Sequence, residues 1–277
     1  MPLALGCAPV VDSEASSERV WDPPRPFSRA LVIVAHPDDA EFGCAGTVAR
    51  WVRMGTDVRY LVVTDGASGS ADPTMTRERL LGIRQDEQRA ACAVLGVTDV
   101  TFLGYADGYL EPSIEARREV AAAIRHHRPE AVVTLDPSVR WSAMGYVNHP
   151  DHRAVGDLVL HAINPAASTR LWDTTLIDEG LEPWDVAELW LMSFGQGNDL
   201  VDVSATFEQK LAALRCHASQ LSGWDPGPRI KEMATQVGAG AGLDAAESFT
   251  VLRFRSLDDQ GSESLRDKPP TNAKPQH

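Results

Sequence analysis

The chain has 277 residues, of which 43% are hydrophobic and 23% charged. That is room for one large α/β domain or two small ones, with a full core and no need of staples. Its 26 Lys and Arg stand against 39 Asp and Glu, a formal net charge of -13. Such a surface repels phosphate backbones and excludes nucleic acid as a natural partner.

Cys7, Cys44, Cys92 and Cys216 lie far apart and form no C-x-x-C, which argues against a disulfide framework and against a thiolate zinc knuckle. No apolar run approaches the roughly 20 residues of a membrane span, so no membrane insertion is expected. The start, Met1-Pro2-Leu3-Ala4-Leu5-Gly6-Cys7, lacks the positive region and apolar length of a leader, and a cytoplasmic protein is expected.

Residues 1–27 read as a mobile, loop-like segment. Ser13, Ser16 and Ser17 are followed by Pro23, Pro24 and Pro26, with no hydrophobic period. Ala30 to Ala35 is a continuous, β-branched apolar run, the pattern of a strand buried in a parallel sheet, and it stops at His36-Pro37. A helix is predicted from about Gly43 to Met54, closed by Gly55. A strand follows over Val58 to Val63.

The alternation then repeats. A long helix is predicted over Thr76 to Leu95, with Thr76 as N-cap and Gly96 as stop. After it come a strand at Val100 to Leu103, a helix from Ser113 to His127 and a strand at Ala131 to Leu135. A loop spans Asp136 to Asn148, and a helix opens near His149-Pro150. A strand at Ala187 to Ser193 and a helix at Phe207 to Leu221, capped from Ser204, complete the pattern. The Gly- and Pro-rich stretch 223–242 reads as a long surface loop, and the polar residues 256–277 as a disordered tail. Strands alternating with helices of this length predict βαβ units in one domain over 28–255: an α/β, Rossmann-like, three-layer α/β/α fold with a mainly parallel sheet.

Two clusters carry chemistry. His36-Pro37-Asp38-Asp39-Ala40-Glu41 follows the first buried strand, at the sheet edge where open α/β folds bind ligands. Asn148-His149-Pro150-Asp151-His152 comes more than a hundred residues later, again after a strand. His149 and His152 are three apart and share a helix face. The positive end of a helix dipole disfavours imidazolium there, and neutral imidazole is the form that ligates zinc. Catalytic zinc takes three N/O ligands and keeps a place for water. His36, Asp39 and His152 would supply such a set. That leaves Asp38 free to take a proton and His149 to hold an oxyanion. Asp151 is expected to orient His149 and raise its pKa.

The run Ala35-His36-Pro37-Asp38-Asp39-Ala40-Glu41-Phe42-Gly43, with Gly46-Thr47, resembles the first motif of the PIG-L/LmbE-type zinc-dependent de-N-acetylases. His149-Pro150-Asp151-His152 is similar to the second. Further likeness lies at Thr64-Asp65-Gly66, Arg84 to Glu87, Leu95-Gly96-Val97, Leu103 to Gly108 and Val133-Thr134, so it spans roughly 30–220. The resemblance implies hydrolysis of an N-acetyl group on a small-molecule amino sugar or its conjugate. It implies one Zn²⁺ per chain on His36, Asp39 and His152, with Asp38 as general base, His149 as oxyanion stabiliser and Asp151 as its partner. Fe²⁺, Co²⁺ or Ni²⁺ also suits a His₂-Asp set. An amidase for a larger N-acyl group or a mycothiol-type conjugate is the alternative within the same chemistry.

Asp65, Asp107 and Arg84 are the candidate substrate contacts. For the two aspartates a turn role is the alternative, and for Arg84 a helix pair with Asp86 or Glu87. Glu41 reads as support for the ligand loop. Trp141 and Tyr146 flank the second motif as lid or packing residues. His126 and His127 read as a solvated helix end, and His161 and His217 as structural. A dinucleotide fold would want G-x-G-x-x-G after the first strand, which HPDDAEFGCAGT does not supply. Gly66-Ala67-Ser68-Gly69-Ser70 misses a nucleophile elbow by its last glycine. A phosphoesterase would want carboxylates for a second metal, and a catalytically silent binding module would be expected to lose Asp38 or His149. Self-association is left open by the sequence.

Overall fold

A computed structural model describes residues 19–22, 25–141, 145–193 and 197–255. Its strands are β1 (Arg19–Val20), β2 (Arg29–Val34), β3 (Asp57–Thr64), β4 (Asp99–Tyr105), β5 (Ala131–Leu135), β6 (Glu188–Met192), β7 (Asp199–Asp202) and β8 (Ala246–Arg253). Its helices are α1 (Asp39–Gly43), α2 (Ala45–Arg53), α3 (Arg77–Leu95), α4 (Ile114–His127), α5 (Pro150–His161), α6 (Thr174–Asp178), α7 (Phe207–Leu214), α8 (Ala218–Leu221) and α9 (Gly227–Ala239).

The strands form one sheet in the order β1-β7-β8-β6-β5-β2-β3-β4. All neighbours are parallel except β8, which runs antiparallel to both β6 and β7. α2, α3 and α7 pack together on one side, and α4 and α5 pack together elsewhere, giving the expected three layers. β2 and β5 are buried almost throughout because helices cover both faces. β2 pairs β5 on one side and β3 on the other, with Ala30 opposite both Ala131 and Val58. The chain order reverses between β5 and β2. That junction is the switch point at which α/β sheets open a crevice beyond their carboxyl ends.

The local signals work where expected. The Thr76 hydroxyl accepts from the Arg79 amide to start α3, and Gly96 ends it with a positive φ. Ser113 caps α4 through the Ala116 amide. His149 itself is the N-cap of α5, with Pro150 in the first turn.

Several expectations need correction. The stretch 223–242 is not a loop throughout. It holds α9, whose Ile230, Ala234 and Gly238 are buried at a four-residue spacing behind a Gly227-Pro228 start. The predicted 43–54 helix is α2, and across a break at Cys44 it is preceded by the short α1, which the sequence reading did not give. The predicted 207–221 helix is broken between α7 and α8, and Ser204 does not cap it. β7 and β8 had no counterpart in the sequence reading. His127 is not solvated: it is buried, with Nε2 3.0 Å from the Ala30 carbonyl. The segment 256–277 lies outside the described residues, and no helix among the described residues is long and apolar enough to cross a membrane.

The end of the 1–27 segment is also anchored. β1 pairs with β7, and Trp21 and Phe27 are only 2% and 1% exposed. Trp21 lies 5.9 Å from Trp51 and 5.8 Å from Trp190 between ring centroids, and Phe27 lies 5.0 Å from Trp51. These rings join two distant parts of the chain. Trp21→Ala is expected to cost about 3–5 kcal/mol of stability, read as a shift in a chemical denaturation midpoint.

Candidate active site

Both sequence clusters meet at the switch point. His36 follows β2, and Asp39 opens α1 directly after it. One Asp39 oxygen, Oδ2, accepts from the Ala35 amide at 3.1 Å and the His36 amide at 2.8 Å. The other, Oδ1, faces His152 Nε2 at 3.1 Å, and His36 Nδ1 lies 3.5 Å from Oδ2. The rings of His36, His149 and His152 sit 4.7–5.4 Å apart between centroids.

The donors of His36, Asp39 and His152 lie within 4.8 Å of one another. Ligands of a tetrahedral ion with bonds of about 2.0–2.2 Å lie about 3.4 Å apart. The spacing of these donors therefore fits a divalent ion. His36 and Asp39 shift each other's titration. Burial opposes charge on His36, yet Asp39, Asp107 and Asp151 push its pKa up to about 12. Burial also opposes charge on Asp39, but His152 and His36 hold it well below the ordinary carboxylate value.

His36 is held from its other side. Its Nε2 lies 3.2 Å from Asp107 and 3.3 Å from Asp151. His36, Asp107, His149 and Asp151 form a second close group of donor atoms. The carboxylates in it are already engaged by backbone. Asp151 accepts from Gly108 at 2.7 Å and Leu110 at 3.3 Å, and Asp107 accepts from Ser68 at 2.9 Å. They are thus placed to orient the His36 ring, as partners of ligand histidines commonly do. Asn148 does the same for His152, its Oδ1 lying 3.0 Å from Nδ1. No role was read for Asn148 from the sequence, although its spacing of four from His152 was visible there.

The expected pairing of Asp151 with His149 takes a different form. The carboxylate turns toward His36 and stays 3.9 Å from His149 Nδ1. It is the Asp151 amide that donates to that Nδ1, at 3.3 Å. Burial and the charge of His36 lower the His149 pKa, outweighing Asp151. A neutral ring that accepts at Nδ1 carries its proton on Nε2. His149 is also the most open of the three histidines, its side chain 37% exposed.

Asp38 sits beside this group in a left-handed conformation, φ 104°. Its carboxylate lies 3.2 Å from Arg84, which is buried and also donates to the carbonyls of Gly66 and Pro37. Burial pushes the Asp38 pKa up to about 7 against the pull of Arg84. Gly66, at φ 60°, makes room for this arginine, since a Cβ there would lie 2.8 Å from its guanidinium.

The three candidate substrate contacts are all engaged within the protein. Arg84 serves Asp38 rather than an open pocket, and it pairs with neither Asp86 nor Glu87, which face Arg89 and Ser219. Asp65 accepts from Ala67 and Asp107 and faces Arg77. Asp107 orients His36. Trp141 and Tyr146 are exposed on the loop before His149, where Trp141 bridges to Val147. Farther along the edge, α9 walls a cavity of about 340 Å³ together with Gly43 and Met192.

Residues 31–163 match the family described as PIG-L, GlcNAc-PI de-N-acetylase. The diacetylchitobiose deacetylase of Thermococcus kodakarensis is 32% identical over 239 residues, covering 84% of this chain and 86% of that protein. The 1D-myo-inositol 2-acetamido-2-deoxy-alpha-D-glucopyranoside deacetylase of Actinosynnema mirum is 31% identical over 242 residues, covering 72% and 83%. Among solved structures, the N,N'-diacetylchitobiose deacetylase of Pyrococcus horikoshii in complex with its inhibitor MPG superposes with a TM-score of 0.75 at 29% identity, covering 82% of this chain and 84% of that one. Fold, site and relatives together define a hydrolase of the deacetylase type. The chain belongs to the PIG-L (LmbE-like) de-N-acetylase family.

Arg84 gives a direct test of the geometry around Asp38. Arg84→Met strips a buried carboxylate of its partner and is expected to cost about 3–5 kcal/mol in a denaturation experiment. A loss below about 1 kcal/mol would mean that the pair is solvated.

Proposed function

We propose that this chain is a zinc-dependent hydrolase that removes the N-acetyl group from an amino sugar or amino-sugar conjugate. The observation that carries this reading is the convergence of His36, Asp39 and His152 with the unligated Asp38 and His149 at one crevice. A zinc ion held by the first three would supply a Lewis acid and lower the pKa of a water toward ~7. Another divalent transition metal fits the same donors.

The chain's own groups divide the remaining work. Asp38 accepts the proton of the attacking water and returns it to the amine nitrogen as the C–N bond breaks, releasing acetate and the free amino sugar. His149 donates its Nε2 proton in a hydrogen bond to the oxyanion that develops from the amide carbonyl. The helix N-terminus beneath His149 and the amide on its Nδ1 keep the ring neutral and aimed. Asp107, Asp151 and Asn148 hold the ligand rings in place. The relatives named above act on N-acetylated sugars, which supports a small-molecule substrate of that class. Cys44, Cys92 and Cys216 are unpaired thiols, which suits a reducing, cytoplasmic setting.

The function is tested by loading the protein with zinc and offering N,N'-diacetylchitobiose, N-acetylglucosamine and N-acetylglucosaminyl inositol. Acetate, read by mass spectrometry, is the expected acid product. No acetate from any of the three would sink the reading. His152→Ala is expected to lose zinc by elemental analysis, and a fully occupied variant would overturn the ligand assignment. His149→Ala is expected to keep its zinc and lose about 10²–10³ in kcat.

A further inference from the structure

Beneath Asp38 runs a chain of buried polar groups to which the proposed reaction assigns no part. The Asp38 amide donates to Gln88 Oε1 at 3.1 Å. Gln88 Nε2 donates to Glu41 Oε1 at 3.1 Å, and the other Glu41 oxygen lies 3.1 Å from His217 Nε2. Gln88, Glu41 and His217 are each 0% exposed. They come from α3, from α1 and from the junction of α7 with α8, elements far apart in sequence.

We infer that Gln88 and His217 are positioning residues for Asp38, holding its backbone in the left-handed conformation that aims its carboxylate at the crevice. The inference rests on Asp38 being the proton acceptor.

The direction of the Gln88 bonds is fixed by chemistry. A backbone amide only donates, so Gln88 turns its carbonyl toward Asp38 and its NH₂ toward Glu41. The other Glu41 oxygen faces His217 Nε2. Among the described residues the buried Nδ1 of His217 has no partner, and the ring's polar contact is with Glu41. A non-glycine residue at φ 104° persists only where its surroundings over-determine it. α3 supplies that constraint twice from one face. Arg84 grips the carboxylate and Gln88, four residues on, grips the amide. His217, through Glu41, keeps the Gln88 amide from turning over. A chain kept only for packing would serve as well with apolar groups, because buried polar groups add little net stability over shape-matched apolar ones.

The test measures Gln88→Met, which keeps the shape and removes its hydrogen bonds to Asp38, Glu41 and Cys92, against the parent on N,N'-diacetylchitobiose. Rates are normalised to folded chains with bound zinc. A kcat at least ~10-fold lower with KM within about twofold is expected, since small misplacements of a reacting group carry penalties of that size. An unchanged kcat, whatever the shift in melting temperature, overturns the inference.

His217 gives an independent pair of variants should Gln88→Met fail to fold. His217→Leu is expected to lower kcat, and His217→Gln, whose amide can still donate to Glu41, to recover most of the loss. Equal rates for Leu and Gln overturn the inference. Asp38→Asn is run alongside. If it keeps full turnover, the reading of Asp38 as base fails and the positioning inference falls with it. If it is inactive while Gln88→Met is not impaired, only the positioning inference fails.

Discussion

The Asp39 carboxylate ties the end of β2 to the start of α5. Two backbone amides fix one of its oxygens, and the other meets His152. This is possible because β2 and β5 are adjacent in the sheet although about a hundred residues separate them. The strands deliver His36 and the loop ahead of α5 to the same crevice, and every other contact of the site is arranged around that meeting. His36 is turned by Asp107 and Asp151, His152 by Asn148, and His149 by the first turn of α5. A donor set assembled from strand ends and helix starts is stiff: two backbone amides hold Asp39, and the side chains that orient His36 and His152 are themselves bound to backbone.

Strands buried on both faces were legible in the sequence because burial demands uninterrupted apolar runs, as at Ala30 to Ala35 and Ala131 to Leu135. β7 and β8 were not. Their polar residues are answered by distant partners: Asp199 by Arg253, and Glu247 by Lys210 and the first amides of α2. α9 was hidden for another reason. Glycine and proline mark loops in general, but a Gly-Pro pair at a helix start is compatible with the first turn, where a missing amide is no loss.

The site divides in the same way. The residue types that could hold an ion were legible in two short motifs, because their chemistry is specific and their spacing tight. What each residue touches could not. Arg84 looked free for substrate because nothing in the sequence shows that Asp38 turns back beneath α3. Asp151 looked like the partner of its neighbour His149, yet its carboxylate serves His36 from across the crevice.

Two buried ion pairs and a buried carboxyl–imidazole contact lie under the segment 38–47: Asp38 with Arg84, Glu247, which accepts from the amides of Gly46 and Thr47, with Lys210, and Glu41 with His217. Taking such groups out of water is costly, and apolar replacements of equal volume often leave a protein as stable or more so. Their value therefore lies in direction rather than in net stability. An apolar core holds a helix at a depth but lets it slide or rotate by small amounts. A carboxylate on two amides, or a guanidinium on two carbonyls and a carboxylate, has one good geometry. α1 is five residues long and ends at a break, too short to set its own orientation by packing alone. The charges of α3, α7 and β8 set it instead, and with it the places of Asp38 and Asp39.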